Sequence, residues 1–200
     1  MPQSILYTIV LIIMYGNAIA QAPPVSQVVH NKNYPNSLQD KSYIYKLPFI
    51  IGTKHKVVQA AYSKLSHKGE IALDFNAKLG TTICAARSGI VTAAYSNSKI
   101  GGLNEKYLND GNHIIIQHND GSQAMYWHLQ YKGTLVNIGD TVTAGQIIGK
   151  TGNTGYTAFP HLHFEVNGLT ANGTYSQLQV RFYTHKGIQY LRPLKKYKVV

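Results

Sequence analysis

"NHIIIQHNDGSQAMYWHL", Asn112 to Leu129, holds two apolar runs on either side of a turn signal. Asn119-Asp120-Gly121 supplies the turn, because Asp-Gly tolerates the backbone angles a short hairpin demands. The flanking runs carry Ile, Tyr, Trp and Met, which suit a half-buried pleated surface. Side chains alternate along a strand. Ser122, Ala124, Tyr126 and His128 therefore share one face, and Met125, Trp127 and Leu129 the other. The second face is the more apolar and is expected to pack inward. His128 is then expected to project from the opposite face, near the strand end.

The same texture extends outward from this hairpin. From Tyr43 onward, runs such as "YKLPFIIG", "KVVQAAY", "IALDF", "TTICAARSGIVTAAY" and "QIIGK" alternate with Gly, Asn and Asp. No stretch sustains a 3.6-residue apolar period. The expectation is all-β: a compact antiparallel sheet domain with long loops and little helix, spanning residues 43–200. Lys99 to Asn112, "KIGGLNEKYLNDGN", reads as a long loop. The 18 glycines and 15 tyrosines fit a strand-rich chain with tight turns.

The amino-terminal end reads differently. Ile5 to Met14 is a short apolar run, followed by Ala18-Ile19-Ala20, a small-x-small ending. Residues 1–20 are expected to be a signal peptide, although no Lys or Arg precedes the run. The run is too short to span a bilayer, so no transmembrane span is expected after cleavage. Residues 21–42, rich in Pro, Ser, Asn and Gln, read as an extended lead-in. Export to the periplasm or the extracellular space follows. Cys84 is the only cysteine, so no internal disulfide forms.

Nineteen Lys and Arg against eight Asp and Glu give a formal net charge of +11. Such a surface attracts polyanions. No recognition helix or zinc-finger spacing is present, so nucleic acid is not the expected partner. An anionic cell wall is. A monomer is the default expectation.

The chemistry concentrates in "FPHLHFEV", Phe159 to Val166. His161, His163 and Glu165 fall on one strand face, and Leu162, Phe164 and Val166 on the other. Two imidazoles at i, i+2 converge on one site and suit zinc. A catalytic zinc needs three protein ligands and an open position. "SHKGEIALDF", Ser66 to Phe75, offers His67 and Asp74 to complete a set with one of the two strand histidines. A carboxylate between Leu73 and Phe75 is costly unless paired or metal-bound. Zinc lowers the pKa of its water to about 7 and polarises a scissile carbonyl. A further histidine takes the water's proton or stabilises the oxyanion, and His128 and the remaining member of the 161/163 pair fit that work.

With "HKGEIALDF", "YWHL" and "PHLHFE" in this order, the chain resembles the lysostaphin-type (LytM-like) zinc metallopeptidases. The resemblance covers roughly residues 66–166 and includes "GTTICAARSGIV" and "VNIGDTVTAGQIIGKTGNTG". It implies one Zn2+ per chain held by His67, Asp74 and His163 in a groove flanked by loops, with His128 and His161 as catalytic histidines. It implies hydrolysis of peptide bonds in peptidoglycan by a zinc-activated water. The seven-residue separation of His67 and Asp74 departs from the commoner spacing of four, and His55 is the nearby substitute for His67. Two other functions fit such a chain: an inactive wall-binding or amidase-activating module, and a secreted protease for Gly-rich proteins. Retention of all five residues argues against the inactive module.

Several residues have plainer readings. Cys84, between Ile83 and Ala85, reads as a buried inert thiol, since no activating helix start is evident. His113 and His118 lie in the hairpin without a ligand motif. Asn112 orients a loop, contacts substrate or serves a turn. Glu165 is either an acceptor behind a histidine or an exposed strand carboxylate.

Overall fold

The computed structural model describes residues 43–61 and 69–200. The signal-peptide reading of residues 1–20, the lead-in of 21–42 and His67 lie outside the described residues.

The described residues form seventeen strands. They begin with β1 (Ile44–Lys46), β2 (Lys54–Gln59), β3 (Ala72–Asn76), β4 (Thr82–Cys84), β5 (Gly89–Tyr95) and β6 (Gly101–Gly102). The middle of the chain gives β7 (His113–Gln117), β8 (Gln123–Trp127), β9 (Leu129–Thr134), β10 (Thr141–Val142), β11 (Ile147–Thr151) and β12 (Gly155–Tyr156). The last are β13 (His161–Leu169), β14 (Tyr175–Gln177), β15 (Arg181–Thr184), β16 (Gly187–Gln189) and β17 (Lys196–Lys198).

One nine-stranded sheet dominates, in the order β10-β5-β7-β8-β13-β3-β2-β17, with β14 paired to β13. Its pairings are antiparallel, as expected from the sequence. Outside it, β1 with β15 and β6 with β12 run parallel. The expected long loop after Lys99 is not featureless: it contains β6 and one 3-10 turn, Glu105–Tyr107.

The β7–β8 hairpin forms around the expected turn, with Gln117 opposite Gln123 and Gly121 at a φ of 81°. Its buried face is the reverse of the one expected. Ala124 and Tyr126 are fully buried, while Met125 and Trp127 are partly exposed. The neighbours decide this. Tyr126 lies between Ile114 and Phe164, both buried, and its ring packs edge-on to Phe164. The phenolic oxygen accepts a hydrogen bond from the Ala86 backbone N–H, so a tyrosine is buried without an orphaned polar atom. Phe75, Phe182 and Tyr45 extend the same aromatic core.

Alternation in β13 is as expected, with Leu162, Phe164 and Val166 all in the core. Cys84 is buried among apolar neighbours, and burial pushes its thiol above the ordinary value, as fits an inert thiol.

Candidate metal centre

The opposite face of the large sheet carries one continuous cross-strand row. Gln59 stands opposite Asp74, Asp74 opposite His163, His163 opposite Trp127, Trp127 opposite His113, and His113 opposite Tyr95. Directly paired residues share a sheet face, so six strands contribute to one polar and aromatic strip. The face expected to pack inward in the hairpin is this one.

Asp74 and His163 form the tightest pair. Asp74 Oδ1 lies 3.0 Å from His163 Nδ1 and 3.5 Å from His161 Nε2. Asp74 is only 2% exposed, so its carboxylate needs a donor such as His163 Nδ1. His163 has an elevated pKa: burial pulls it down, but the hydrogen bond and charge of Asp74 outweigh that.

His128 reaches the site by an unexpected route. It sits between β8 and β9 with a φ of 63°, a left-handed conformation that ends strand alternation. Its ring centroid lies 4.7 Å from that of His161 and 5.8 Å from that of His163. Nδ1 of His128 donates to the Thr154 carbonyl at 2.8 Å, leaving Nε2 as the lone-pair nitrogen. His161 is arranged the same way, with Nδ1 donating to the Phe159 carbonyl at 2.8 Å. Burial, reinforced by the two neighbouring histidines, pushes His128 down to about 3, so its ring is neutral at pH 7.

The loops that hold these rings are locked to each other. The Asn112 backbone N–H donates to Thr154 Oγ1, and Thr154 Oγ1 donates to the Leu129 carbonyl. Asn112 Nδ2 donates to the carbonyls of Ser98 and Leu129. Asn112 therefore orients loops, one of its expected roles. Gly155, at a φ of 80°, permits the approach, since a Cβ there would lie 2.7 Å from the Gly111 Cα.

One ring nitrogen from each of His128, His161 and His163 lies within 4.8 Å of the other two. With Asp74 beside them, the donors are nitrogen and carboxylate oxygen, the set that zinc takes. Nδ1 protons anchored on carbonyls leave Nε2 as the lone-pair nitrogen of His128 and His161 beside the Asp74–His163 pair. The residues fit a zinc ion.

Other histidines stand apart. His55, considered as a substitute ligand, stacks on Phe49 and bonds to Thr53. His118 is buried beside Tyr45, with Nδ1 donating to the Ser88 carbonyl. His113 lies in the strip against Trp127. Among the described residues Glu165 makes no hydrogen bond to a histidine; it accepts one from Gln177 Nε2, and Gln177 Oε1 accepts from the Ile71 backbone N–H.

Sequence reasoning passed over Thr154, Phe159 and Gln59. Thr154 and Phe159 hold the histidine rings through backbone carbonyls, which carry no residue signature, and the Thr154 hydroxyl, which docks the loop, lies in no ligand motif. Gln59 had a signal, an amide ending the apolar run "KVVQ".

Comparison with known proteins places these motifs. The chain is 43% identical to lysostaphin of Staphylococcus simulans over 94 residues, 46% of this chain and 17% of that protein. It is 37% identical to the peptidoglycan DD-endopeptidase ShyC of Vibrio cholerae over 109 residues, 54% of this chain and 22% of that protein. The matched stretch is thus less than a quarter of either relative's length. The crystallised catalytic domain of the S. simulans lysostaphin aligns with a TM-score of 0.45 and 31% identity, covering 62% of this chain and 87% of that one. Residues 66–177 match the model of peptidase family M23, and with more than half of its length in that match, the chain belongs to peptidase family M23.

Proposed function

We propose that the protein is an exported zinc metalloendopeptidase that hydrolyses peptide bonds of bacterial peptidoglycan. The observation that carries this is the convergence of His128, His161 and His163 around Asp74. His67, Asp74 and His163 are the proposed ligands of a single zinc. When bound, the ion polarises the scissile carbonyl and acidifies a water. The chain's own groups handle the protons. His128, neutral and anchored through Nδ1 to Thr154, accepts the proton of the attacking water at Nε2. The imidazolium so formed hydrogen-bonds the oxyanion and then passes its one acquired proton to the leaving nitrogen. His161, anchored on Phe159, aligns the water through its own Nε2.

The relatives include a peptidoglycan DD-endopeptidase and lysostaphin, which supports a wall peptide as substrate. An anionic wall is the second proposed partner. Lys54 pairs directly with Lys198, and Lys56 with Lys196, so four lysines share one face of the β2–β17 ladder. Among the described residues none of them makes an ion pair. Directly opposed like charges destabilise a sheet, and a polyanion would relieve them.

The test is incubation of residues 21–200 with purified peptidoglycan, with and without a zinc chelator, followed by mass spectrometry of released fragments. New peptide termini that vanish with chelator and return with zinc are expected. A folded, zinc-loaded sample that cleaves no wall type would replace this reading: cleavage of Gly-rich protein would then mark a secreted protease, and wall binding alone an inactive module.

A further inference from the structure

Gln59 is the last residue of β2 and is buried beside the candidate centre. A buried amide is costly unless hydrogen-bonded. Its place there is not what strand alternation dictates. Val57 stands opposite Phe75, and the next paired position is Gln59 opposite Asp74. Val58 is one residue too many for the ladder, which makes a β-bulge. Without the bulge, Gln59 would share the side of Val57, which faces the core with Phe75. The extra residue turns the amide onto the face of Asp74. There Nε2 donates to Asp74 Oδ2 at 2.8 Å. The other oxygen, Oδ1, is the one directed at His163 and His161.

We infer that Gln59 is a positioning residue for metal binding, holding Oδ2 so that Oδ1 is the ligand oxygen. A carboxylate free to turn about its last bond offers either oxygen, or both, to an ion. Tethering Oδ2 removes that freedom before the ion arrives. An amide suits the task because it donates a hydrogen bond without adding charge. A lysine or arginine in its place would partly neutralise the carboxylate and weaken it as a ligand. Groups behind ligands typically contribute about 10–100-fold in metal affinity. The inference rests on the zinc reading above and adds to it the origin of the carboxylate's orientation.

The experiment is zinc titration of wild-type protein and of Gln59→Leu against a chromophoric chelator, with the melting temperature of each metal-free protein recorded alongside. The variant is expected to bind zinc about 10–100-fold more weakly, at a temperature where both are folded. Its cobalt-loaded form should show an altered visible spectrum, which a merely structural role would not produce. Gln59→Asn, one methylene shorter and out of reach of Oδ2, makes the same test with polarity retained should Gln59→Leu not fold. Zinc affinities within twofold of wild type in the folded variants would overturn the inference alone. A wild-type protein that takes up no zinc would instead overturn the functional reading on which it rests.

Discussion

His163 and Asp74 face each other across the β13–β3 ladder with Nδ1 and Oδ1 3.0 Å apart, and both side chains rise from strand interiors. Ladder hydrogen bonds fix the two backbones, so the spacing of the donors is set before any ion binds. His128 differs. It is held by a loop carbonyl, and its position depends on how the segment around Thr154 docks.

His163→Ala removes a donor without disturbing backbone pairing. Loss of bound zinc and of activity is expected, with the far-UV circular dichroism of wild type. Unchanged zinc content by elemental analysis, together with full activity, would remove His163 from the ligand set.

His128→Ala should separate binding from turnover. Its ring is a proton carrier in the proposed chemistry, so kcat is expected to fall about 10²–10⁴-fold while zinc stoichiometry stays at one. Abolished metal binding in this variant would reverse the division of roles.

Thr154→Val tests the docking of the loop that holds His128. The substitution keeps shape but strips the partner of the Asn112 N–H and the donor to the Leu129 carbonyl. The Asn112 N–H is left unsatisfied, at about 1–3 kcal/mol, while the Leu129 carbonyl keeps its bond from Asn112 Nδ2. A melting temperature lower by several degrees is expected, with a fall in kcat larger than any change in KM. Wild-type melting and kcat would show that the loop is held elsewhere.

His118 makes stability depend on pH. Burial is the main cause of its low pKa, the nearby Arg87 guanidinium adds to it, and the Ser88 carbonyl and Asp120 oppose it. Tyr45 packs on the same ring. The unfolded chain therefore takes up the proton first as pH falls. Its contribution to stability is complete above about 6.5, the usual histidine value, and is lost on descending from there to the lower folded value. His118→Asn, which keeps a donor for Ser88, should lose less stability than wild type between pH 7 and 5 in urea titrations. Parallel pH profiles would contradict this.

The lysine face can be neutralised without touching the site. Replacing Lys54, Lys56, Lys196 and Lys198 together by Gln should weaken retention on insoluble wall at low salt and flatten its salt dependence. Cleavage of a short soluble wall peptide should be unchanged. Equal retention at every salt concentration would show that these four charges play no part.

The sequence alone determined the sheet class, the hairpin turn, the inward face of β13 and the residue types of the centre. These are local properties: alternation has a period of two, Asp-Gly imposes a turn, and imidazoles at i, i+2 must share a face. What only the tertiary structure decided was which face of the hairpin is buried, how His128 turns inward, and which groups hold the donors. Composition favoured burying Met125 and Trp127, yet the core took Ala124 and Tyr126, because Ile114 and Phe164 pack against Tyr126 and Ala86 satisfies its oxygen. His128 reaches the site through a left-handed backbone and a carbonyl 26 residues away. Gln59 reaches it through one surplus residue in a ladder. Such contacts join segments distant in the chain, and their geometry exists only once the sheet has closed.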